Sequence, residues 1–333
     1  MKKIIKPTIF MLIFIVLFCL ISRLLEPKYA DDLVEGSMIR AYYQEEKNHE
    51  VIFVGDCEVY ANFSPMAMYE EAGIKAYVRG SSQQLIWQSY HILKETLKYE
   101  KPKVVVFNVN ALRYDKNSTQ VKEEYNRLTI DGMKWSKEKI DIINESMTND
   151  ETFLSYLFPI IRYHSRYNQL TKEDIKYFFK NKVNTFNGFL INKDIKPVVT
   201  LPVPPKLPSY EFSEETMKYL NMMVELCQAN GTKLVLVKAP SLYPHWYEEY
   251  DALIKNYANH KGIKYYNFTA LAEEVGLDYN LDTYDSGLHL NLTGATKLSK
   301  YFANILKIEY NLTDTHGDLM YEEKLKAYQQ ATE

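Results

Sequence analysis

Residues 51–65 read VIFVGDCEVYANFSP. Four apolar residues, three of them β-branched, run into Gly55-Asp56-Cys57. A run this short and this uniformly apolar is the pattern of a strand covered on both faces. Ser64-Pro65 then starts a helix through about Ala72. Serine accepts a first-turn N–H, and proline has no N–H that needs a partner there. Strand, small polar loop and helix together place Cys57 at the carboxyl end of a sheet strand, where α/β proteins hold their ligands.

The same alternation recurs along the 333 residues. Ile74–Gly80 reads as a second strand. Gln83–Tyr99 carries Leu85, Ile86, Tyr90, Leu93 and Leu97 at helical spacing. Lys101–Val109, Gly231–Pro240 and Gly262–Phe268 read as three more strands. The last two follow amphipathic helices over about Ser213–Asn230 and His245–His260, and Thr293–Tyr310 is a closing helix. This order predicts an α/β fold, a three-layer α/β/α sandwich around a mainly parallel five-stranded sheet. The alternation breaks between about Tyr114 and Pro208. There, SKEKIDIINESM (136–147), DETFLSYLFPIIRYHSRY (150–167) and TKEDIKYFFK (171–180) read as helical, followed by the proline-rich KPVVTLPVPPKLPSY (196–210). We expect a helical insertion at about 114–210, returning as an extended connection. The tail from about Asp314 is polar and helical in pattern.

At the N-terminus, Lys2, Lys3 and Lys6 precede an apolar run from Thr8 to Ile21 or Leu25, with no small-x-small cleavage site after it. Residues 1–30 therefore read as a cytoplasmic stub and signal-anchor transmembrane helix, with residues 31–333 extracytoplasmic. The expected location is the cell membrane, single-pass, with the bilayer as first partner. A net charge of −3 gives no reason to expect a nucleic-acid partner. Three cysteines, Cys19, Cys57 and Cys227, make no disulfide framework, and the histidines lack metal-ligand spacing, so neither a metal nor a cofactor is expected.

The residues after each expected strand fall on one edge of the sheet. They are Gly55-Asp56-Cys57, then Arg79-Gly80-Ser81, then Asn108 and Asn110, then Lys238-Ala239-Pro240-Ser241. Finally comes DTYDSGLHLNLTGA, Asp282–Ala295. Thiol, carboxylate, amides and histidine on one edge are what acyl transfer needs: a nucleophile, a base, a group that orients the base, and oxyanion donors. Cys57 is the nucleophile candidate, His289 the base and Asp285 its orienter, with Asp282 as a second candidate orienter. Asp56 is expected to hold its loop by hydrogen bonds.

These blocks resemble the SGNH/GDSL hydrolase superfamily, whose four short motifs match Gly55-Asp56-Cys57, Gly80, Asn108 or Asn110, and Asp285…His289. The resemblance covers roughly Val51–Asn110 and Glu211–Tyr310 and implies an SGNH-like (flavodoxin-like) domain. Within it, Gly80, the Cys57 backbone and one of the two asparagines would form the oxyanion hole. Strand position favours Asn108 and motif spacing favours Asn110. Two departures stand out: Cys57 occupies the serine position, and Asp285 precedes His289 by four residues rather than three. With its anchor and the segment Phe158–Asp174, the chain also resembles membrane-anchored cell-envelope acyl-transfer proteins, of the teichoic-acid D-alanyl transfer and alginate O-acetylation types. That resemblance implies a membrane-bound O-acyltransferase as partner and a surface glycopolymer as acyl acceptor. Arg162, His164 and Arg166 are candidate contacts to such a polymer. The alternative is a catalytically inactive accessory protein on the same fold.

Overall fold

The five apolar runs form one parallel sheet: β1 (Val51–Gly55), β2 (Ala76–Gly80), β3 (Val104–Asn108), β4 (Lys233–Lys238) and β5 (Lys264–Asn267). Their spatial order is β2-β1-β3-β4-β5. From β1 the chain first builds to one side and then to the other. The carboxyl ends of β1 and β3 therefore flank the switch point, the crevice where doubly wound sheets bind ligands. The computed structural model describes residues 2–29, 33–34, 36–179, 186–201 and 203–333.

Side chains alternate across the sheet with period two. Val51, Phe53, Val78, Val104, Val106, Val235 and Val237 face one core. Ile52, Val54, Tyr77, Val105, Phe107, Leu234 and Leu236 face the other. Helix α1 (Lys2–Leu25) stands outside this sandwich. The first core is closed by α2 (Cys57–Asn62) and α3 (Pro65–Ala72). The opposite face is covered by α4 (Ile86–Tyr99), α5 (Glu214–Ala229) and α6 (Glu248–Lys261). The later helices α7 (Leu292–Glu309) and α8 (Leu319–Thr332) return to the first face. Phe53 stacks on Phe63 at 4.9 Å, and Phe302 meets both rings. The helix start at Ser64-Pro65 is as expected: Ser64 Oγ accepts from Ala67 N at 3.3 Å, with Pro65 the first helical residue.

Between β3 and α5 the chain forms short helices at Glu123–Ile130, Lys137–Ser146, Phe153–Leu157, Ile160–Tyr163 and Lys172–Phe179. Ile130, Met133, Ile142, Ile143 and Tyr156 give them a small core of their own, shared with Ile92 of α4. The continuous helical pattern over 150–167 is broken at Pro159, because proline disfavours helical backbone in the preceding residue, Phe158. The proline-rich return runs extended, as its composition predicts. It is stitched to the body by Leu190 N to Tyr60 O (3.0 Å), Leu292 N to Asn192 O (2.7 Å) and Lys196 N to Thr283 O (2.9 Å).

Helix α1 contains a 20-residue apolar span, Lys6–Leu25, with mean hydropathy 2.7 and almost no burial inside the protein. It is long enough to cross a bilayer, at roughly 30 Å.

Gly80 ends β2 directly beneath α2. A Cβ at this position would stand 2.6 Å from Val59 Cγ2 and 3.2 Å from the Asp56 carbonyl oxygen. Gly80→Ala is expected to lower stability by about 1–3 kcal/mol through overpacking. Adding Val59→Ala should recover part of that loss. Urea unfolding of the two single variants and the double variant measures the coupling.

Candidate active site

Asp56 sits in extended backbone at the N-cap of α2, and both of its carboxylate oxygens accept hydrogen bonds. Oδ1 accepts from Glu58 N (3.1 Å) and Asn108 Nδ2 (3.0 Å), and Oδ2 accepts from Asn110 Nδ2 (2.8 Å). Burial and the neighbouring Glu58 charge raise its pKa above the usual carboxylate range, against the two amide bonds and Lys238. The carboxylate ties the loop after β1 to the end of β3. Cys57 follows as the first residue of α2, half-buried, with a backbone N–H that has no acceptor inside its own helix.

The two asparagines are separated by their bonding. Asn108 gives Nδ2 to both Asp56 and Glu58 (2.8 Å), and its Oδ1 accepts from Ala239 N (3.2 Å). An amide has two N–H donors, so Asn108 has none left for a ligand. Asn110 spends one on Asp56 and keeps the other. Its Oδ1 accepts weakly from Arg113 (3.4 Å).

Asp285 holds His289 twice. Oδ2 lies 2.6 Å from Nδ1, and Oδ1 accepts the His289 backbone N–H at 2.7 Å. The extra residue in this block is taken up by a turn with positive φ at Ser286 (66°) and Gly287 (100°). A Cβ on Gly287 would meet Val198 Cγ2 at 2.9 Å, so the proline-rich return packs directly on the turn. The Ser286 N–H donates to Lys196 O (3.1 Å), and the Tyr243 hydroxyl donates to Asp285 O. Asp282, the second candidate orienter, is instead engaged with Lys297 (2.7 Å) and Asp278 N (2.8 Å). Its role is to hold the loop.

His289 is buried. Its Nε2 has no partner at full hydrogen-bonding geometry, and the thiol of Cys57 is close enough to act on the ring. Burial lowers the imidazole's proton affinity. Cys57 and Asp285 outweigh it, and the pKa is raised well above the ordinary 6.5. Asn62, at the far end of α2, accepts from Leu290 N at 2.8 Å. One short helix thus carries Cys57 at its start and grips the histidine loop at its end.

One group was not picked out from the sequence. Glu58 is buried beside Cys57 and pairs with Lys238 at 3.1 Å, while Ser241 Oγ donates to it at 2.5 Å and accepts from Lys238 at 2.6 Å. The available signal was a second lysine, Lys238, closing the apolar run of KLVLVK at the buried end of the strand, where a solvated charge has no room. This cluster fixes the first turn of α2 to the end of β4.

Arg162, His164 and Arg166 belong to a different neighbourhood. Arg162 pairs with Glu123 (2.7 Å), and His164 Nδ1 lies 2.9 Å from Ile161 O. Arg166 donates to Leu25 O, at the end of α1, and pairs with Asp174 (3.2 Å).

No family model matches the chain, and no curated protein sequence matches it. The solved structures that overlap with it include the following two. One, from Desulfitobacterium hafniense DCB-2, is described as a lipolytic protein of the G-D-S-L family. It is 13% identical, with 78% of this chain and 100% of that chain covered and a TM-score of 0.40. The other, from Bacteroides fragilis NCTC 9343, is described as an acylhydrolase. It is 14% identical, with 80% and 90% covered and a TM-score of 0.39. Overlap at this level concerns the backbone, and the chemistry rests on this chain's own side chains.

Two outcomes test the geometry. Lys238→Met leaves Glu58 buried and unpaired, and is expected to cost about 3–5 kcal/mol in chemical unfolding. Glu58→Gln in the same chain should return much of it. The second concerns pH. Because the folded-state pKa of His289 is raised, its contribution to stability is complete below 6.5 and is lost as pH climbs through the raised value. The stability gap between the native protein and His289→Gln should therefore narrow as pH rises, as read by unfolding at a series of pH values.

Proposed function

We propose that the protein is a membrane-anchored, extracytoplasmic acyl-transfer enzyme that forms a thioester on Cys57. The observation that carries this reading is the Asp285 carboxylate 2.6 Å from His289 Nδ1, which leaves the ring's Nε2 without a partner in the neighbourhood of the Cys57 thiol. A carboxylate that fixes the imidazole with Nε2 toward a nucleophile is the geometry of a nucleophile–base–orienter triad.

In the first half-reaction the Cys57 sulfur attacks the donor's acyl carbonyl, and His289 Nε2 takes the thiol proton. The oxyanion is met by the Cys57 backbone N–H and the second amide hydrogen of Asn110, with Gly80 as the third candidate donor. Collapse breaks the donor's bond to its leaving group, which takes the proton from His289. In the second half-reaction His289 deprotonates an acceptor hydroxyl, which attacks the thioester, and the Cys57 thiol is restored. Asp285 holds the ring throughout and stabilises its charged form.

The acceptor class we propose is a hydroxyl of a cell-surface glycopolymer, with the acyl group supplied beside a membrane-bound O-acyltransferase. The support is the resemblance described above and the apolar helix α1. Lys2, Lys3 and Lys6 at its start favour the body lying on the opposite side of the membrane. Water as acceptor would make the same site an esterase.

Incubating the full-length protein with a nitrophenyl ester and mapping the adduct by mass spectrometry tests the chemistry. The acyl group is expected on Cys57, sensitive to hydroxylamine, absent from Cys57→Ala and slowed on the order of 10²-fold or more in His289→Ala. Acylation of Cys57 that is equally fast without His289 would defeat the triad. No adduct on Cys57 in the native protein would point to the silent accessory protein instead.

A further inference from the structure

The insertion carries an apolar surface that neither the site nor the folded core uses. Leu154, Leu157, Phe158, Ile161, Ile175 and Phe179 are between 41% and 78% exposed. Large apolar side chains grouped on neighbouring short helices mark a contact surface rather than ordinary solvent-facing scatter.

The position of this surface is set by α1. The segments Ile160–Tyr163, His164–Asn168 and Lys172–Phe179 all pack against α1. Phe158 meets Phe18 edge-on at 6.1 Å, Arg23 lies over the Phe178 ring at 5.7 Å, and Arg166 donates to Leu25 O at the end of the helix. Phe18 lies seven residues before Leu25, roughly 10 Å along the axis. A side chain packed on Phe18 therefore lies about 10 Å inside the hydrocarbon, within the outer leaflet, if α1 spans a bilayer about 30 Å thick. Arg23 lies in the last turn of α1 and Arg166 bonds to its last carbonyl, at the level of lipid headgroups if α1 spans, while Lys172, Asp174 and Lys176 lie on the Lys172–Phe179 helix itself.

We propose that residues 153–179 form an interfacial collar whose apolar face is buried in the outer leaflet of the bilayer around α1. The collar seats the catalytic body on the membrane as a rigid unit rather than letting it hang from a tether. The proposal rests on the membrane reading of α1.

The test uses the full-length protein in nanodiscs whose lipids carry brominated acyl chains, which quench tryptophan at hydrocarbon depth. Phe158→Trp and Ile161→Trp report on the collar, Phe14→Trp on the anchor, and Leu253→Trp on the body, each read as the difference from the parent protein. The expected result is bromolipid quenching of Phe158→Trp and Ile161→Trp comparable to that of Phe14→Trp, with little effect of aqueous iodide, and the reverse for Leu253→Trp. Quenching of Phe14→Trp with iodide access at both collar positions overturns the collar and leaves the anchor standing. Failure of bromolipid to quench Phe14→Trp removes the anchor and the collar together. Shielding of the collar positions from both quenchers points to a protein-covered face and overturns the lipid proposal.

Discussion

The buried carboxylate of Asp56 is the constraint around which the site is organised. An ionised carboxylate inside a protein is costly unless donors surround it. Here the donors come from three places: the first turn of α2, the end of β3 and the loop just beyond it. Each of those bonds also fixes something else. The N-terminal turn of α2 is pinned over the switch point, Asn108 is committed as a strut, and Asn110 is turned with one donor left over. Asp56 is a structural acceptor, and the chemistry proposed for Cys57 depends on where it puts the helix.

Around that anchor the helix is held from several sides. Glu58, Lys238 and Ser241 tie its start to β4, while Asn62 ties its end to Leu290, next to His289. The histidine loop is in turn braced by a segment from the other side of the insertion, through Lys196 and Val198. The insertion is therefore part of the site's scaffold, even though its own side chains do not enter the triad. The same insertion reaches α1 through Phe158 and Arg166, so one segment connects the apolar N-terminal helix and the histidine loop.

Much of the architecture was legible without coordinates. Strands appeared as short apolar runs, helices as 3.6-residue periodicity, and the start of α3 as Ser64-Pro65, because each of these signals is local. Strand order places Cys57, Gly80 and the asparagines on one edge, and the edge follows from the alternation alone. The site was harder. Strand position favoured Asn108 while motif spacing favoured Asn110, and Asp282 competed with Asp285. Glu58 passed unremarked beside the cysteine, and its partner Lys238 was placed on the same edge without a role.

By itself, the sequence determined the parallel α/β class, the apolar N-terminal span and the set of residues on the candidate site's edge of the sheet. Those features come from neighbours within one helix turn or one strand. Only the tertiary structure decided which asparagine keeps a free donor, which aspartate orients His289, and that Glu58 has a buried cation. It also decided that the insertion packs on α1. Most of these depend on contacts between residues some fifty to two hundred positions apart, whereas the choice of aspartate turns on a four-residue contact whose geometry the positive-φ turn at Ser286-Gly287 sets. Donor counting, ring orientation and burial are properties of those meetings, and no local pattern of residues encodes them.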